Sequence, residues 1–245
     1  MRRILLTGAT SAIAQAAARR FAADGDSLVL AGRGLDRLEN VADDLRAHGA
    51  ERVETLEIDF LDIGRCPGLV GQARDLLGGL DVLLIAQGTL PDQTACERDA
   101  ELTLREHSLN TTSAIALLVP AANLFEDQRH GCLAVITSIA GVRGRRSNYV
   151  YGSAKAGVSA FLEGLRGRMA ASGVSVVDVR PGFVDTPMTA DIPKNPLFAS
   201  PADVGRRVHR AVCRGEDVVY TPWFWRWIAL VIQCIPRPVF KRLNF

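Results

Sequence analysis

Short apolar runs alternate with longer amphipathic segments almost to the end of the chain. Runs at residues 3–7, 27–32, 53–58, 81–86, 132–137, 174–179 and 217–220 have the length and apolar content of buried strands. Between the second and third, Leu35, Leu38, Val41, Ala42 and Leu45 recur at the i, i+3, i+4 spacing of one buried helical face. Ser200-Pro201-Ala202-Asp203 reads as a capped helix start, with Pro in the first turn. Parallel strands need a crossover, usually a helix, so regular alternation predicts an α/β fold: a doubly wound parallel seven-stranded sheet with helices on both faces. No repeat, low-complexity tract or linker intervenes. Residues 1–222 read as one domain and 223–245 as an extra amphipathic C-terminal segment rich in aromatic and basic residues.

Composition sets limits on function. The chain has 245 residues, 48% hydrophobic and 23% charged, which suits one soluble globular domain. A formal net charge of +2 makes no electrostatic case for nucleic acid. Cys66, Cys96, Cys132, Cys213 and Cys234 are odd in number, widely spread and free of any Cys-x-x-Cys pair. They are expected to be buried thiols in a reducing compartment, with no metal bound. The apolar run that opens the chain is too short for a signal peptide, so cytoplasmic residence is expected.

Candidate chemistry gathers in residues 138–155. Tyr151 and Lys155 are four apart and share a face if they lie on a helix, which brings an ammonium near a phenol. A neighbouring cation favours phenolate, and a free Tyr, with a pKa of about 10, transfers protons poorly near neutrality unless that value falls. Ser138 closes a strand-like run, so a carbonyl oxygen held between Ser138 and Tyr151 would be polarised by one and protonated by the other. Upstream, Thr7-Gly8-Ala9-Thr10-Ser11-Ala12-Ile13-Ala14 follows the first strand and opens an Ala-rich helix. Gly8 permits the tight turn, and the free N–H groups of a helix N-terminus suit a pyrophosphate.

These segments, with Asn110 and Pro181-Gly182-x-Val184-x-Thr186, resemble the short-chain dehydrogenase/reductase family over essentially the whole chain. The resemblance implies a Rossmann sheet and an NAD(P)-dependent oxidoreductase of carbonyl and alcohol groups. It places cofactor contacts on Gly8, Ser11, Ile13, Arg33, Asp59, Phe60, Ala86, Gly88, Tyr151, Lys155, Pro181, Val184 and Thr186. Its catalytic set is Ser138, Tyr151, Lys155 and Asn110, the last holding a water that links Lys155 to solvent. Lys155 would also hold the nicotinamide ribose and lower the phenol's pKa. Homodimers or homotetramers are implied as well. Two departures stand out: Ala12 and Ala14 occupy the second and third glycine positions of the family's nucleotide turn, and Ile85-Ala86-Gln87-Gly88 stands after the fourth strand where Asn-Asn-Ala-Gly is usual, which removes two polar side chains near the adenosine side. Arg33 after the second strand, in place of an acid, favours NADP(H), while an Arg that stacks on adenine leaves NAD(H) open.

Two features bear on the substrate. Arg143, Arg145 and Arg146 lie between Ser138 and Tyr151 with no acid among them, and either receive a phosphate or phosphodiester or form a solvated or subunit-contact cluster. Residues 223–235 are aromatic and apolar and contain all three tryptophans, followed by basic residues. As a helix the segment is only about 20 Å long, short of a bilayer core of about 30 Å. It either lies in a membrane interface, covers the pocket or contacts another subunit. Within the family, the arginine loop, the segment around Pro181 and the tail resemble the reductase component of the decaprenylphosphoryl-ribose 2'-epimerase system. That likeness implies a keto-sugar on a polyprenyl phosphate as substrate, a flavin-dependent oxidase partner and residence at the cytoplasmic membrane face. A reductase of soluble, acyl or steroid-like ketones is the neighbouring reading. A nucleotide-binding protein without turnover is the reading from another class.

Overall fold

The computed structural model describes residues 1–243, which leaves the last two residues of the C-terminal segment outside the described chain. In chain order the elements are β1 (Arg3–Thr7), α1 (Ala12–Ala23), β2 (Ser27–Gly32), α2 (Leu35–Ala47), β3 (Arg52–Glu57), α3 (Cys66–Leu77) and β4 (Val82–Ile85). Then come the short α4 (Gln93–Cys96), α5 (Ala100–His107), α6 (Ser113–Gln128), β5 (Cys132–Ile136), α7 (Tyr149–Met169), β6 (Ser175–Pro181), α8 (Pro201–Arg214), β7 (Val218–Thr221), α9 (Trp225–Cys234) and α10 (Arg237–Phe240). Every expected strand forms, with ends shifted by at most two residues. The order across the sheet is β3-β2-β1-β4-β5-β6-β7, and all neighbours are parallel.

Strand alternation divides the interior in two. Ile4 and Leu6 of β1, Leu28 and Leu30 of β2 and Ala134 of β5 face α1, α2 and α8. Leu5, Val29, Leu133 and Val135 face α3, α6 and α7 on the other side. Both faces of a parallel sheet must be covered, which is why these strands read as unbroken apolar runs. The helical run from Ala100 to Gln128 is long and apolar enough to cross a bilayer, but Leu117, Ala121 and Phe125 are buried against the sheet as part of the core. Within that run Asn110 sits in a π-helical turn, Ser108–Thr112.

A third, smaller apolar cluster joins Trp225 and Ala229 of α9 to Ile139 and to the half-buried Phe183 and Tyr220. The C-terminal segment is therefore packed on the domain, and it bends at Ile235-Pro236 into α10. The cysteines divide: Cys66, Cys96 and Cys132 are buried as expected, whereas Cys213 and Cys234 are exposed.

Candidate active site

β1 and β4 are neighbours whose following helices leave toward opposite faces, and a crevice opens beyond their carboxyl ends. Gly8, with φ +66°, turns the chain there, and a Cβ on it would stand 2.4 Å from the Gln87 backbone nitrogen. Gln87, a departure from the family pattern, ties three elements together. Thr7 Oγ1 donates to its Oε1 (2.6 Å) and its Nε2 donates to Ser113 Oγ (3.2 Å). Ser11 caps α1 without a side-chain hydrogen bond, which leaves the first-turn N–H groups free to receive an anion. Gly8, Ser11, Ile13, Arg33, Asp59, Phe60, Ala86 and Gly88 all line this groove, together with Ala12. Sequence reasoning missed Arg37, which stands with Arg33 at the same groove; its signal was a second base four residues on, with no acid between β2 and Asp36.

The groove shares Ser11, Ile13, Gly88 and Thr186 with a second cavity over β5 and α7, bordered by Ser138, Tyr151, Lys155, Pro181 and Val184. Ser138 follows β5 and caps a 3₁₀ turn, Ile139–Val142, its Oγ accepting from Ala140 N at 3.0 Å. That turn is pressed onto α7: a Cβ on Gly141 would stand 2.8 Å from Ala156 N. The contact brings Ser138 to the Tyr151 hydroxyl, and the two are hydrogen-bonded. Lys155, one turn along α7, places Nζ 5.7 Å from the centre of the Tyr151 ring and donates to Ile136 O at 3.3 Å. Asn110 lines neither cavity but is buried directly behind Gly88. It accepts from Thr89 N (3.1 Å) and donates to Glu106 O (3.0 Å).

The short chain dehydrogenase family profile matches residues 2–197. The chain belongs to this family. An uncharacterized oxidoreductase of Mycobacterium tuberculosis is 36% identical over 98% of this chain and 96% of its own length. Another, of Streptomyces coelicolor, is 37% identical over 99% and 96%. Among solved structures, a short-chain dehydrogenase from Sphingobium yanoikuyae in complex with NADPH superposes with a TM-score of 0.84 at 26% identity, covering 100% of this chain and 97% of that one. The protein is thus an oxidoreductase of a family that binds NAD(P)(H).

In this short-chain dehydrogenase, burial outweighs the neighbouring cation at the phenol. Tyr151 is pushed up to about 12, with the Ser138 hydrogen bond pulling the other way, and Lys155 is drawn down to about 8 although Asp178 raises it. This corrects the expectation that Lys155 holds the phenol low. Lys155 is fully enclosed and 5.7 Å from the ring centre, so its own desolvation governs. Asp178 is a residue the sequence did not single out. It is buried in β6, paired with Arg180 (2.7 Å) and hydrogen-bonded by Thr137.

The structure also separates the three arginines. Only Arg145 borders the catalytic cavity, where burial lowers its pKa and no charged neighbour offsets that. Arg143 points away and donates to Ile232 O (2.7 Å) and Ile235 O (2.6 Å), so its expected role at the substrate gives way to a structural one. Arg146 is exposed and lines neither cavity.

Asp24, His209 and Cys213 bring ligand atoms within 4.8 Å of one another on the far side of the fold. Arg2 donates to both Cys213 Sγ (2.7 Å) and Asp24 Oδ2 (3.0 Å), so a protein cation already serves this cluster.

Proposed function

We propose that the protein is an NADPH-dependent reductase of a ketone carrying an anionic group and an apolar tail, of which a keto-sugar on a polyprenyl phosphate is the leading example. Arg145 carries the proposal. Among the described residues it is the one guanidinium on a cavity whose wall away from Ser138, Tyr151 and Lys155 includes Leu90, Ile139, Phe183, Met188 and Ile192, and a partly desolvated Arg gains most from a bidentate anion. Asn148 borders the same cavity with Oδ1 buried and unpartnered among the described residues, which suits a substrate hydroxyl donor.

NADPH is favoured because Arg33 and Arg37 stand together where the adenosine end of the groove opens, and neither forms an ion pair among the described residues. A dianionic 2'-phosphate would complete both. The cradle at Gly8 and the uncapped first turn of α1 fit a pyrophosphate between them. When bound, the reduced nicotinamide supplies hydride. The chain's own residues do the rest: Ser138 donates to and orients the carbonyl oxygen, Tyr151 delivers the proton, and Lys155 with Asn110 restores it from solvent. A phenol held near 12 stays protonated across the physiological range, as an acid for reduction requires.

The apolar wall keeps a second reading in view, a soluble acyl or steroid-like ketone, which would not need Arg145. Turnover of paired ketones with and without a phosphate ester, by wild type and Arg145→Ala, tests the first. Wild type should prefer the phosphorylated ketone and the variant should lose that preference; equal preference in both would overturn it. A flavin-dependent oxidase that makes the ketone, residence at the cytoplasmic face of a membrane, and pairing of copies through α6 and α7 complete the proposal.

A further inference from the structure

α9 is apolar on two sides, and only one of them is used. Trp225 and Ala229 are buried against the domain, while Trp223, Trp227, Leu230 and Val231 are exposed at 72%, 57%, 49% and 64%. Trp227, Leu230 and Val231 share the outward face of α9, and Trp223 stands in the turn that leads into it. Val239 in α10 and Leu243 just after it are exposed as well, at 50% and 38%. Four large apolar side chains more than a third exposed within nine residues are far from the scattered single exposures that ordinary surfaces show.

Glu163 and Asp217, both paired with Arg166, border Trp227 and Leu230 on one flank, but within the segment itself the charge has one sign. No Asp or Glu follows Asp217, whereas Arg226, Arg237, Lys241 and Arg242 do, and all four are exposed. Indole rings flanked by basic side chains match the boundary of an anionic bilayer, where the rings sit at headgroup level and the cations meet lipid phosphates. Beyond that flank, the α10 end presents Arg237, Lys241 and Arg242 with no acid in the segment, which favours an anionic surface over a second basic copy.

The segment is also held firmly. Arg143 Nη1 donates to the carbonyls of Ile232 and Ile235, the end of α9 that lacks N–H partners, and its guanidinium lies 3.7 Å over the Phe240 ring. Trp225 packs so closely on Gly182 that a Cβ there would stand 2.0 Å from the indole, and it meets Phe183 edge-on at 5.4 Å. Gly182 and Phe183 are walls of the catalytic cavity. Side chains that anchor the segment therefore also shape the pocket.

We infer that the outer face of α9 and α10 is a docking surface for an anionic phospholipid bilayer, with Trp223, Trp227, Leu230 and Val231 inserted at the interface and Arg237, Lys241 and Arg242 on the headgroups. At ten residues α9 is about 15 Å long and lies in the interface without crossing it. Lipid binding is read without turnover, so its failure would leave the substrate and cofactor readings untouched.

The test is co-sedimentation of the full chain with phosphatidylcholine vesicles, with and without phosphatidylglycerol, alongside tryptophan quenching by brominated acyl chains. Wild type should bind the anionic vesicles, release with salt and show quenching. Trp223→Ser with Trp227→Ser should abolish quenching, and Arg237→Gln with Lys241→Gln and Arg242→Gln should weaken partition on the order of 100-fold. Both variants should bind NADPH as wild type does, which shows them folded. No retention on anionic vesicles, equal retention of the tryptophan variant, or a salt-stable dimer that the tryptophan variant dissolves would overturn the inference, the last assigning the exposed face to a second copy.

Discussion

Gly88 and Asn110 are in direct steric register: a Cβ on Gly88 would stand 2.7 Å from Asn110 Oδ1 and 3.2 Å from Lys155 Nζ. The loop after β4, the π-helical turn and Lys155 thus meet at one point that has room for no side chain. Gly88→Ala should lower kcat roughly 10- to 100-fold by displacing this relay, the scale expected for misplacement of about an ångström. Thermal unfolding would show whether the fold survives; an intact fold with undiminished kcat would remove Asn110 and Lys155 from the proton route.

Lys155 and Tyr151, both buried at the site, give stability opposite pH trends. Lys155 falls from 10.5 to about 8 on folding, so between those values the unfolded chain binds a proton the folded chain has released, and stability rises with pH. Tyr151 goes from 10.0 to about 12, so above pH 10 the folded chain keeps a proton the unfolded chain loses, and stability falls. Melting temperature of the cofactor-free protein should climb between pH 8 and 9, level off above pH 9 as the buried Cys132 thiol, pushed from 9.0 to about 12, offsets Lys155, and turn down above pH 10. Lys155→Met should remove the climb.

Catalysis should follow the same group. With Tyr151 protonated throughout and Lys155 titrating near 8, ketone reduction should be flat below that pH and decline above it. Asp178 raises Lys155, so Asp178→Asn should shift the break to lower pH in a plot of kcat against pH, a displacement that a purely structural role would not produce.

Arg33→Ala and Arg37→Ala should each weaken NADPH roughly 10- to 100-fold, the worth of a charge-assisted pair, and leave NADH almost unchanged. Fluorescence titration of the nicotinamide reads this directly. Equal loss for both cofactors would place the arginines on adenine.

Much of the fold and site was legible in the sequence because local pattern and tertiary context agree. Buried parallel strands are apolar throughout, and the order of Gly8, Asn110, Ser138, Tyr151 and Lys155 follows the chain's path through the sheet. What escaped depends on contacts between distant segments. Arg143 and Arg145 are two residues apart, yet one closes a helix nearly ninety residues later and the other enters the cavity. Gln87, a departure from the family pattern with no role assigned from the sequence, proves to be a tie between Thr7 and Ser113. The direction of the Tyr151 shift needed the depth of burial, which spacing along a helix does not contain.

The most direct measurement follows deuterium from stereospecifically 4-deuterated NADPH into a phosphorylated keto-sugar bearing an alkyl chain, with wild type and Tyr151→Phe side by side. Wild type should place deuterium on the new carbinol carbon, and Tyr151→Phe should give no product while still binding NADPH. Product from Tyr151→Phe at the wild-type rate, or label absent from the carbinol carbon, would contradict hydride transfer with Tyr151 as the acid.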